Sequence, residues 1–158
     1  SSVVRTQGFM HGLEAAIKHG RVTATKWHCE SGDYDGGYRF AETLLSQLSL
    51  QEPSQARPDG IFFCMDHIAC GFMDAARQQF GITIPDNLAV VGFDDIRLAR
   101  YKSYDLTTVR QCPQQMSQAV VNCLLQRLDN PDSAPCHRTV PVELIHRNTL
   151  PSRTEIDS

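Results

Sequence analysis

The apolar run LAVVGF, residues 88–93, leads directly into two aspartates, Asp94 and Asp95. A run of this length without polar alternation is typical of an interior strand of a parallel sheet with helices on both faces. Ligands bind at the carboxyl edge of the strands in open α/β sheets, so two carboxylates at that edge are candidate functional groups. They could accept hydrogen bonds from ligand hydroxyl groups, hold a cation or cap the following helix.

Helical and strand-like patterns alternate along the rest of the chain, with the spacing of βαβ units. This spacing predicts an α/β fold of three layers, α/β/α, with a mostly parallel sheet. We expect a first helix that ends at Gly20 and a loop over residues 31–37 that opens the next helix. A helix is also predicted to start at Pro113, with a break at residues 130–135. The remaining predicted segments are strands at residues 25–29, 60–64, 88–92, 106–109 and 139–145, and helices at 66–81 and 96–101.

Composition excludes several classes of protein for this stretch. With 158 residues, 41% of them hydrophobic and 21% charged, the chain can bury an ordinary globular core. The net charge of −3 and the lack of a dense Lys or Arg run argue against these residues gripping nucleic acid by themselves. No apolar run reaches membrane-spanning length, and residues 1–5 lack the apolar core of a signal peptide. We therefore expect no membrane partner.

Cysteine and histidine patterns predict neither a disulfide framework nor a metal site. The six cysteines contain no C-x-x-C pair, and free thiols in a reducing cytoplasm are the expectation. The six histidines have no metal-ligand spacing. The sequence also contains no G-x-S-x-G elbow and no phosphate-binding G-x-x-x-x-G-K loop. A protein that is not an enzyme, with no cofactor, metal or catalytic residue, is predicted.

Seven short blocks occur in an order that resembles the effector-binding domain of LacI/GalR transcription regulators. The match spans nearly the whole chain, and the ordered series is more specific than any one block. The blocks are RTQGF at 5–9, GDY at 32–34, PDGIF at 58–62, DHIACG at 66–71, GITIPD at 81–86, VVGFDD at 90–95 and LTTV at 106–109.

This resemblance implies the type I periplasmic-binding-protein-like fold, with a small sugar or nucleobase bound between two lobes. It places residues 1–109 in most of the second lobe. Residues 110–150 then supply a helix of the first lobe and a crossover strand, and residues 151–158 form a flexible tail. The two-lobed core would thus be incomplete, and the helix from Pro113 would bury its apolar stripe against the first lobe.

The family also implies partners and a location. Its members are cytoplasmic DNA-binding regulators, usually repressors, and an N-terminal helix-turn-helix outside this chain would read the operator. Ligand binding would shift the equilibrium between open and closed lobes and so change operator affinity. Homodimers match palindromic operators. We expect the dimer contact on the helix at 66–81, near Cys70, and on residues 96–101.

Three polar side chains are predicted to hydrogen-bond the ligand. The resemblance places Arg5 where a guanidinium binds effector hydroxyl groups or a carboxylate, for which its fork of donors is suited. Asp94, at the strand end, can accept two vicinal hydroxyl groups. Gln111 is a further polar contact. Asp95 is instead expected to cap the helix at 96–101.

Tyr34, Met65 and Asp66 complete the predicted ligand-binding set. Tyr34 lies where relatives carry an aromatic side chain that stacks on the ligand, although a surface tyrosine fits the pattern nearly as well. Met65 replaces a family asparagine, and because a thioether donates no hydrogen bond, a less polar or differently oriented effector is indicated. Asp66 is expected to cap the helix at 66–81 more than to touch ligand.

The sequence is also compatible with two other functions. Asp94 and Asp95 could form the acidic pocket of a metal-dependent phosphoacceptor or phosphotransfer domain. That function would need further carboxylates and a lysine on a neighbouring strand end. The second alternative is a stand-alone sugar-binding protein for uptake.

Overall fold

The computed structural model of the protein describes residues 2–50 and 57–151, without the side chains of residues 49 and 50. The predicted tail therefore lies almost entirely outside the described residues. The described part contains four α-helices, four strands and one 3-10 turn at Leu98–Arg100. In chain order the elements are α1 (Ser2–Lys18), α2 (Tyr34–Leu50), β1 (Gly60–Phe62), α3 (Asp66–Phe80), β2 (Ala89–Phe93), β3 (Thr107–Gln111), α4 (Pro113–Asp129) and β4 (Val142–Ile145).

The strands form one sheet in the order β1-β2-β3-β4. β1 pairs with β2 and β2 with β3 in parallel, whereas β4 runs antiparallel to β3. The α/β prediction with a mostly parallel sheet is confirmed. Since β1, β2 and β3 point the same way, their carboxyl ends share one edge of the sheet.

Helices cover both faces of the sheet. Alternate side chains point to opposite faces of a strand, and Phe63 contacts Phe72 of α3 at a ring distance of 5.0 Å. Phe62 points the other way and stacks on Phe9 of α1 at 4.5 Å. The α3 face holds the core, because α1 contains no buried residue.

Helix α2 begins at Tyr34, so the predicted loop at residues 31–37 is partly helical. Its glycines serve close helix packing. A Cβ on Gly37 would lie 2.1 Å from the carbonyl oxygen of Ile68, and one on Gly71 would lie 1.9 Å from that of Tyr34. The Asp33 carboxylate accepts a hydrogen bond from the Gly36 N–H at 2.8 Å and satisfies one free amide at the start of the helix.

Helix α3 is the central helix of the core and ends as predicted. Gly81 has a φ of 61°, and its N–H donates to the Ala76 carbonyl, which is a glycine-terminated helix end. At the other end Met65 is the N-cap residue and provides no side-chain cap, so the prediction that Asp66 caps this helix is wrong. Cys70 is fully buried in the core and is not available for the predicted dimer contact.

The predicted strand at residues 25–29 is not formed. These residues carry no strand assignment, although the side chain of Trp27 lies beside Phe40 with ring centroids 6.5 Å apart. Strand propensity depends strongly on a neighbour with which to pair. Sequence pattern alone was therefore insufficient here.

Cys123 and Cys136 form a disulfide, which corrects the expectation of free thiols throughout. The chain turns back after α4 and brings the two Cα atoms to 5.8 Å, within the range of a disulfide. The other four cysteines are free. The two cysteines lie 13 residues apart and form no short spacing motif, so the sequence pattern did not predict this disulfide.

Helix α4 carries its apolar side chains on the surface. None of its residues is buried, and Leu128 is 67% exposed. Val142 and Leu144 of β4 are exposed as well. None of the helices described in residues 2–50 and 57–151 is both long and apolar enough to cross a membrane.

Candidate functional site

The chain turns sharply at the carboxyl end of β2. Asp94 has a φ of 116° and Asp95 a φ of 51°, in the region that residues with a side chain seldom adopt. Unfavourable backbone of this kind persists where surrounding contacts hold it, and it is found often at functional sites. The turn sends the two adjacent carboxylates into different surroundings.

Asp94 forms a two-pronged ion pair with Arg5 of α1. Arg5 Nη2 lies 2.9 Å from Asp94 Oδ1, and Nη1 donates to Oδ2 at 3.1 Å. Arg5 is held further by the Cys64 carbonyl, which accepts from Nη1 at 2.7 Å, and by the Phe93 ring, whose centroid lies 4.1 Å from Cζ. A planar guanidinium with this many fixed contacts is preorganised for recognition.

Gln111, at the end of β3, joins this pair. Its Nε2 donates to Asp94 Oδ1 at 2.7 Å. The structure thus brings Arg5, Asp94 and Gln111 together at the carboxyl edge of the sheet. The side chains of Arg5 and Asp94 are 18% and 28% exposed, so solvent reaches both.

Hydrogen-bonding capacity remains at this cluster. Within the described part of the chain, Nε and one N–H of Nη2 of Arg5 have no partner. The Asp94 carboxylate accepts two hydrogen bonds of about four possible, beside its ion-pair contact with Nη2. A ligand bearing hydroxyl groups could accept from the arginine and donate to the carboxylate. The cluster is therefore suited to a small polyhydroxylated molecule.

Asp95 points into the protein and is bound by three arginines. Its side chain is fully buried, and it accepts from Arg147 at 2.6 Å, Arg110 at 2.7 Å and Arg100 at 2.8 Å. Burial alone would raise the pKa of this carboxyl, but the hydrogen bonds from the guanidinium groups outweigh burial and hold the pKa below its ordinary value of 3.8.

These contacts correct the prediction that Asp95 caps the following turn, since the N-cap of that turn is Arg97 and it has no side-chain cap. They also argue against the phosphoacceptor alternative. Both oxygens of Asp95 are held by guanidinium groups. No cluster of three or more acidic, His or Cys side chains in the described residues could hold a metal ion.

Asp66, which was expected to cap α3 more than to touch a ligand, is fully buried. Its oxygens accept hydrogen bonds from the Thr108 hydroxyl group at 2.6 Å and the Ile96 N–H at 3.0 Å. Burial raises the pKa of this carboxyl, and the negative charges of Asp94 and Asp95 raise it further, against the effect of the two hydrogen bonds.

Tyr34 directs its hydroxyl group to Asp74 of α3 at 2.6 Å, and the Tyr104 hydroxyl donates to the same oxygen at 2.7 Å. Burial first, and then the contact with Asp74, raises the pKa of Tyr34 to about 12. This contact joins α2 to α3 and explains the position of the ring without a ligand. Stacking of Tyr34 on an effector stays a prediction.

Met65 lies next to the site, between Cys64 and the start of α3. A Cβ added to Gly32 would lie 3.0 Å from its terminal methyl group, so Met65 fills space against the loop before α2. Two neighbours of Arg5 were not predicted from the sequence, Cys64 and Thr6, whose Sγ and Oγ1 lie 3.1 Å apart. Their positions after β1 and after Arg5 are the signals that could have identified them.

Comparisons with known proteins agree with this architecture. The family model for a periplasmic binding protein-like domain matches residues 1–150. The ribose operon repressor of Haemophilus influenzae is 36% identical over 139 residues, which cover 87% of this chain and 39% of that protein. The transcriptional repressor PurR of Klebsiella pneumoniae is 29% identical over 152 residues, covering 95% of this chain and 42% of the repressor.

A solved structure shows the same fold. The LacI family transcriptional regulator from Enterococcus faecalis, with bound ribose, superimposes with a TM-score of 0.62 at 28% identity, over 76% of this chain and 41% of that one. The resemblance to LacI/GalR regulators and the periplasmic-binding-protein-like fold are thereby confirmed. The chain spans about 40% of the length of these curated relatives.

Proposed function

Because this chain belongs to the family of periplasmic binding protein-like domains, we propose that it is the effector-binding part of a LacI/GalR-type transcriptional repressor. Arg5, Asp94 and Gln111 are the residues we assign to the effector. The relatives are named as transcriptional repressors, which supports a binding function over catalysis.

The convergence of three polar side chains at the carboxyl edge of the sheet carries this proposal. Arg5 comes from α1, Asp94 from the end of β2 and Gln111 from the end of β3, and all three meet within hydrogen-bond distance. They are separated by up to 106 residues in the sequence, from position 5 to position 111. Such convergence at this edge is typical of a binding site in an open α/β sheet.

A sugar, with ribose as the first candidate, is the effector class we propose. One relative is named a ribose operon repressor, and a solved relative contains ribose. The free donors of Arg5 and the remaining acceptor site of Asp94 match the vicinal hydroxyl groups of a furanose or pyranose ring. Met65 and Tyr34 would form the less polar border of the site.

The rest of the proposal concerns the whole protein. Effector binding between two lobes would change the affinity of a homodimer for operator DNA, read by a helix-turn-helix outside these 158 residues. Helix α4 and β4 would contact the first lobe through their exposed apolar side chains. A cytoplasmic location is also part of this proposal.

Calorimetric titration of the full-length protein with ribose, other pentoses, hexoses and nucleobases tests the proposal. We expect ribose to bind and to raise the melting temperature, since saturation at 100 times Kd stabilises a protein by about 2.7 kcal/mol. Asp94→Asn should weaken binding roughly 10-fold, because a charged acceptor contributes about 1 to 1.5 kcal/mol more than a neutral one. Asparagine also tolerates the positive φ at this position.

Asp105→Asn is the matched control. Asp105 also has a positive φ, of 43°, but it precedes β3 and lies at the opposite end of the sheet. It should leave the Kd for ribose unchanged. Absence of binding across the whole panel would refute the proposed function, and wild-type affinity in Asp94→Asn would remove Asp94 from the site.

A further inference from the structure

The turn that carries Asp94 has an unfavourable backbone, with positive φ at both Asp94 and Asp95. Neither residue lies in a helix or strand, since β2 ends at Phe93. The ion pair with Arg5 depends nevertheless on a fixed position of the Asp94 carboxylate. Some contact must therefore hold the turn in place.

All three amide groups of this turn are hydrogen-bonded. The Asp94 N–H donates to the Val109 carbonyl at 2.9 Å. The Asp95 N–H donates to the Thr108 hydroxyl oxygen at 3.4 Å, and the Ile96 N–H donates to Asp66 Oδ2 at 3.0 Å. Two of the three acceptors are thus side chains that belong to other elements.

Those two side chains are bonded to each other. The Thr108 hydroxyl group donates to Asp66 Oδ1 at 2.6 Å, so a continuous path links the N–H of Asp95, Thr108, Asp66 and the N–H of Ile96. Both side chains are fully buried. We call Asp66 and Thr108 the buried pair.

The sequence leaves space for the buried pair beneath the turn. A Cβ on Gly92 would lie 2.1 Å from Asp66 Oδ1. Only glycine at position 92 lets the carboxylate reach the turn, so Gly92 serves this approach and lies in a regular strand. Buried polar groups that are fully satisfied in this way make local structure rigid.

We propose that the buried pair Asp66–Thr108 is a positioning device for the effector site, which holds the turn so that the Asp94 carboxylate meets Arg5 and Gln111. Neither member touches the effector. The inference rests on the proposed function for its effect on affinity, but the anchoring of the turn can be measured without ligand.

Thr108→Val is the direct test, because valine keeps the shape and branching of threonine and removes the hydroxyl group. Thr149→Val is the matched control. The Thr149 side chain is buried as well, and its hydroxyl group joins β2 to β3 near their amino-terminal ends. It donates to the Val90 carbonyl at 2.6 Å and accepts from the Thr107 N–H at 2.8 Å. Both variants should lower the melting temperature of the full-length protein.

Only Thr108→Val should weaken the site. We expect the Kd for ribose to rise about 10-fold in Thr108→Val and to stay within about twofold of wild type in Thr149→Val. Thr108→Ser restores the hydroxyl group and should recover most of the affinity. Without ligand, the amides of residues 95 and 96 should exchange hydrogen faster in Thr108→Val than in wild type, and at the wild-type rate in Thr149→Val.

Three outcomes overturn the inference. The first is wild-type affinity in Thr108→Val, and the second is an equal loss of affinity in Thr149→Val, which would indicate general destabilisation. The third is unchanged hydrogen exchange at residues 95 and 96 in Thr108→Val. If wild-type protein binds no compound of the panel, the proposed function fails, and the exchange measurement alone decides whether the buried pair anchors the turn.

Discussion

Asp94 and Asp95 are neighbours with the same side chain, and the protein uses the two carboxylates in opposite ways. Asp94 is partly exposed and meets one guanidinium and one amide at the edge of the sheet. The side chain of Asp95 has no exposed surface and is bound by three guanidinium groups from three separate parts of the chain. One carboxylate retains capacity for a ligand, and the other is fully used in holding the fold.

The difference follows from geometry and charge. The turn after β2 directs one side chain to the solvent-facing edge and the other between the strand ends and the chain after β4. A buried carboxylate needs compensating charge and hydrogen bonds, whereas an exposed one keeps part of its hydration. The surroundings, and not the residue type, therefore decide which aspartate can serve as a binding group.

Asp95→Ala should have the largest effect on stability. It would leave Arg147, whose side chain is only 12% exposed, without its carboxylate partner. Removing one partner of a buried ion pair costs about 3–5 kcal/mol. Urea unfolding of the full-length protein measures this loss, and Asp94→Ala should cost much less in the same experiment.

A loss below about 1 kcal/mol in Asp95→Ala would contradict the comparison, since that value is typical of exposed ion pairs. It would mean that the guanidinium groups find other partners. For Arg110 that partner could be Glu143, whose Oε2 already lies 3.5 Å from Arg110 Nη1.

The sequence predicted the position of Asp94 at the end of a buried strand, but it did not predict the partners of Asp95. A carboxylate at the end of a buried strand predicts a ligand group from local pattern, the block RTQGF adds Arg5, and Gln111 was expected as a further polar contact. Contact of these three side chains with a ligand stays a prediction. The partners of Asp95 are not local, because Arg147 lies 52 residues away. The same limit explains Asp66, whose partners Ile96 and Thr108 lie 30 and 42 residues away.

Most of the fold was predictable because strand and helix periodicities are local. The parallel pairing, the helix end at Gly81 and most of the order of elements agree with the structure. The exceptions are the strand predicted at 25–29, which is not formed, and the helix predicted at 96–101, which is a three-residue 3-10 turn. The start of α2 was not predictable, since paired glycines usually indicate a loop and here serve contact between helices. That contact is visible only when the opposing backbone is known.

Lowering the pH should remove the contribution of Asp95 to the free energy of unfolding. The pKa of Asp95 is lower in the folded protein than its ordinary value of 3.8. Its stabilising contribution is therefore fully present above that value and is lost as the pH falls through the folded pKa. The difference in unfolding free energy between wild type and Asp95→Asn should shrink below pH 3.8.

The contribution of Asp66 to stability depends on pH in the opposite direction, because the pKa of its carboxyl is raised in the folded protein. Its favourable contribution is present below the ordinary value of 3.8 and is lost as the pH rises through the folded pKa.

For the Asp95→Asn experiment, Thr149→Val is the control, because it removes no titrating group and its unfolding free energy should depend on pH as that of wild type does. A constant difference between wild type and Asp95→Asn down to the acid transition would contradict the proposed ion network.

Tyr34→Phe should have the smallest effect and sharpens the boundary of the site. It removes the hydrogen bond to Asp74, whose carboxylate keeps Tyr104 as a donor. We expect a loss of about 1 kcal/mol in unfolding free energy, since one donor to a carboxylate is lost and another remains. Tyr104→Phe removes the other donor to the same oxygen, so a similar loss is expected there and the two variants can be compared directly.

Ribose affinity separates the two roles that remain open for Tyr34. If its hydroxyl group only joins α2 to α3, both phenylalanine variants should bind ribose with the wild-type Kd, measured by calorimetry on the full-length protein. A selective loss of 10-fold or more in Tyr34→Phe would place that hydroxyl in the binding site together with Arg5 and Asp94. Tyr34→Ala then tests the ring itself. Both Tyr34→Ala and Tyr34→Phe lack the hydroxyl contact with Asp74, but only Tyr34→Ala also lacks the ring. A larger Kd for ribose in Tyr34→Ala than in Tyr34→Phe would therefore indicate stacking of the ring on the sugar.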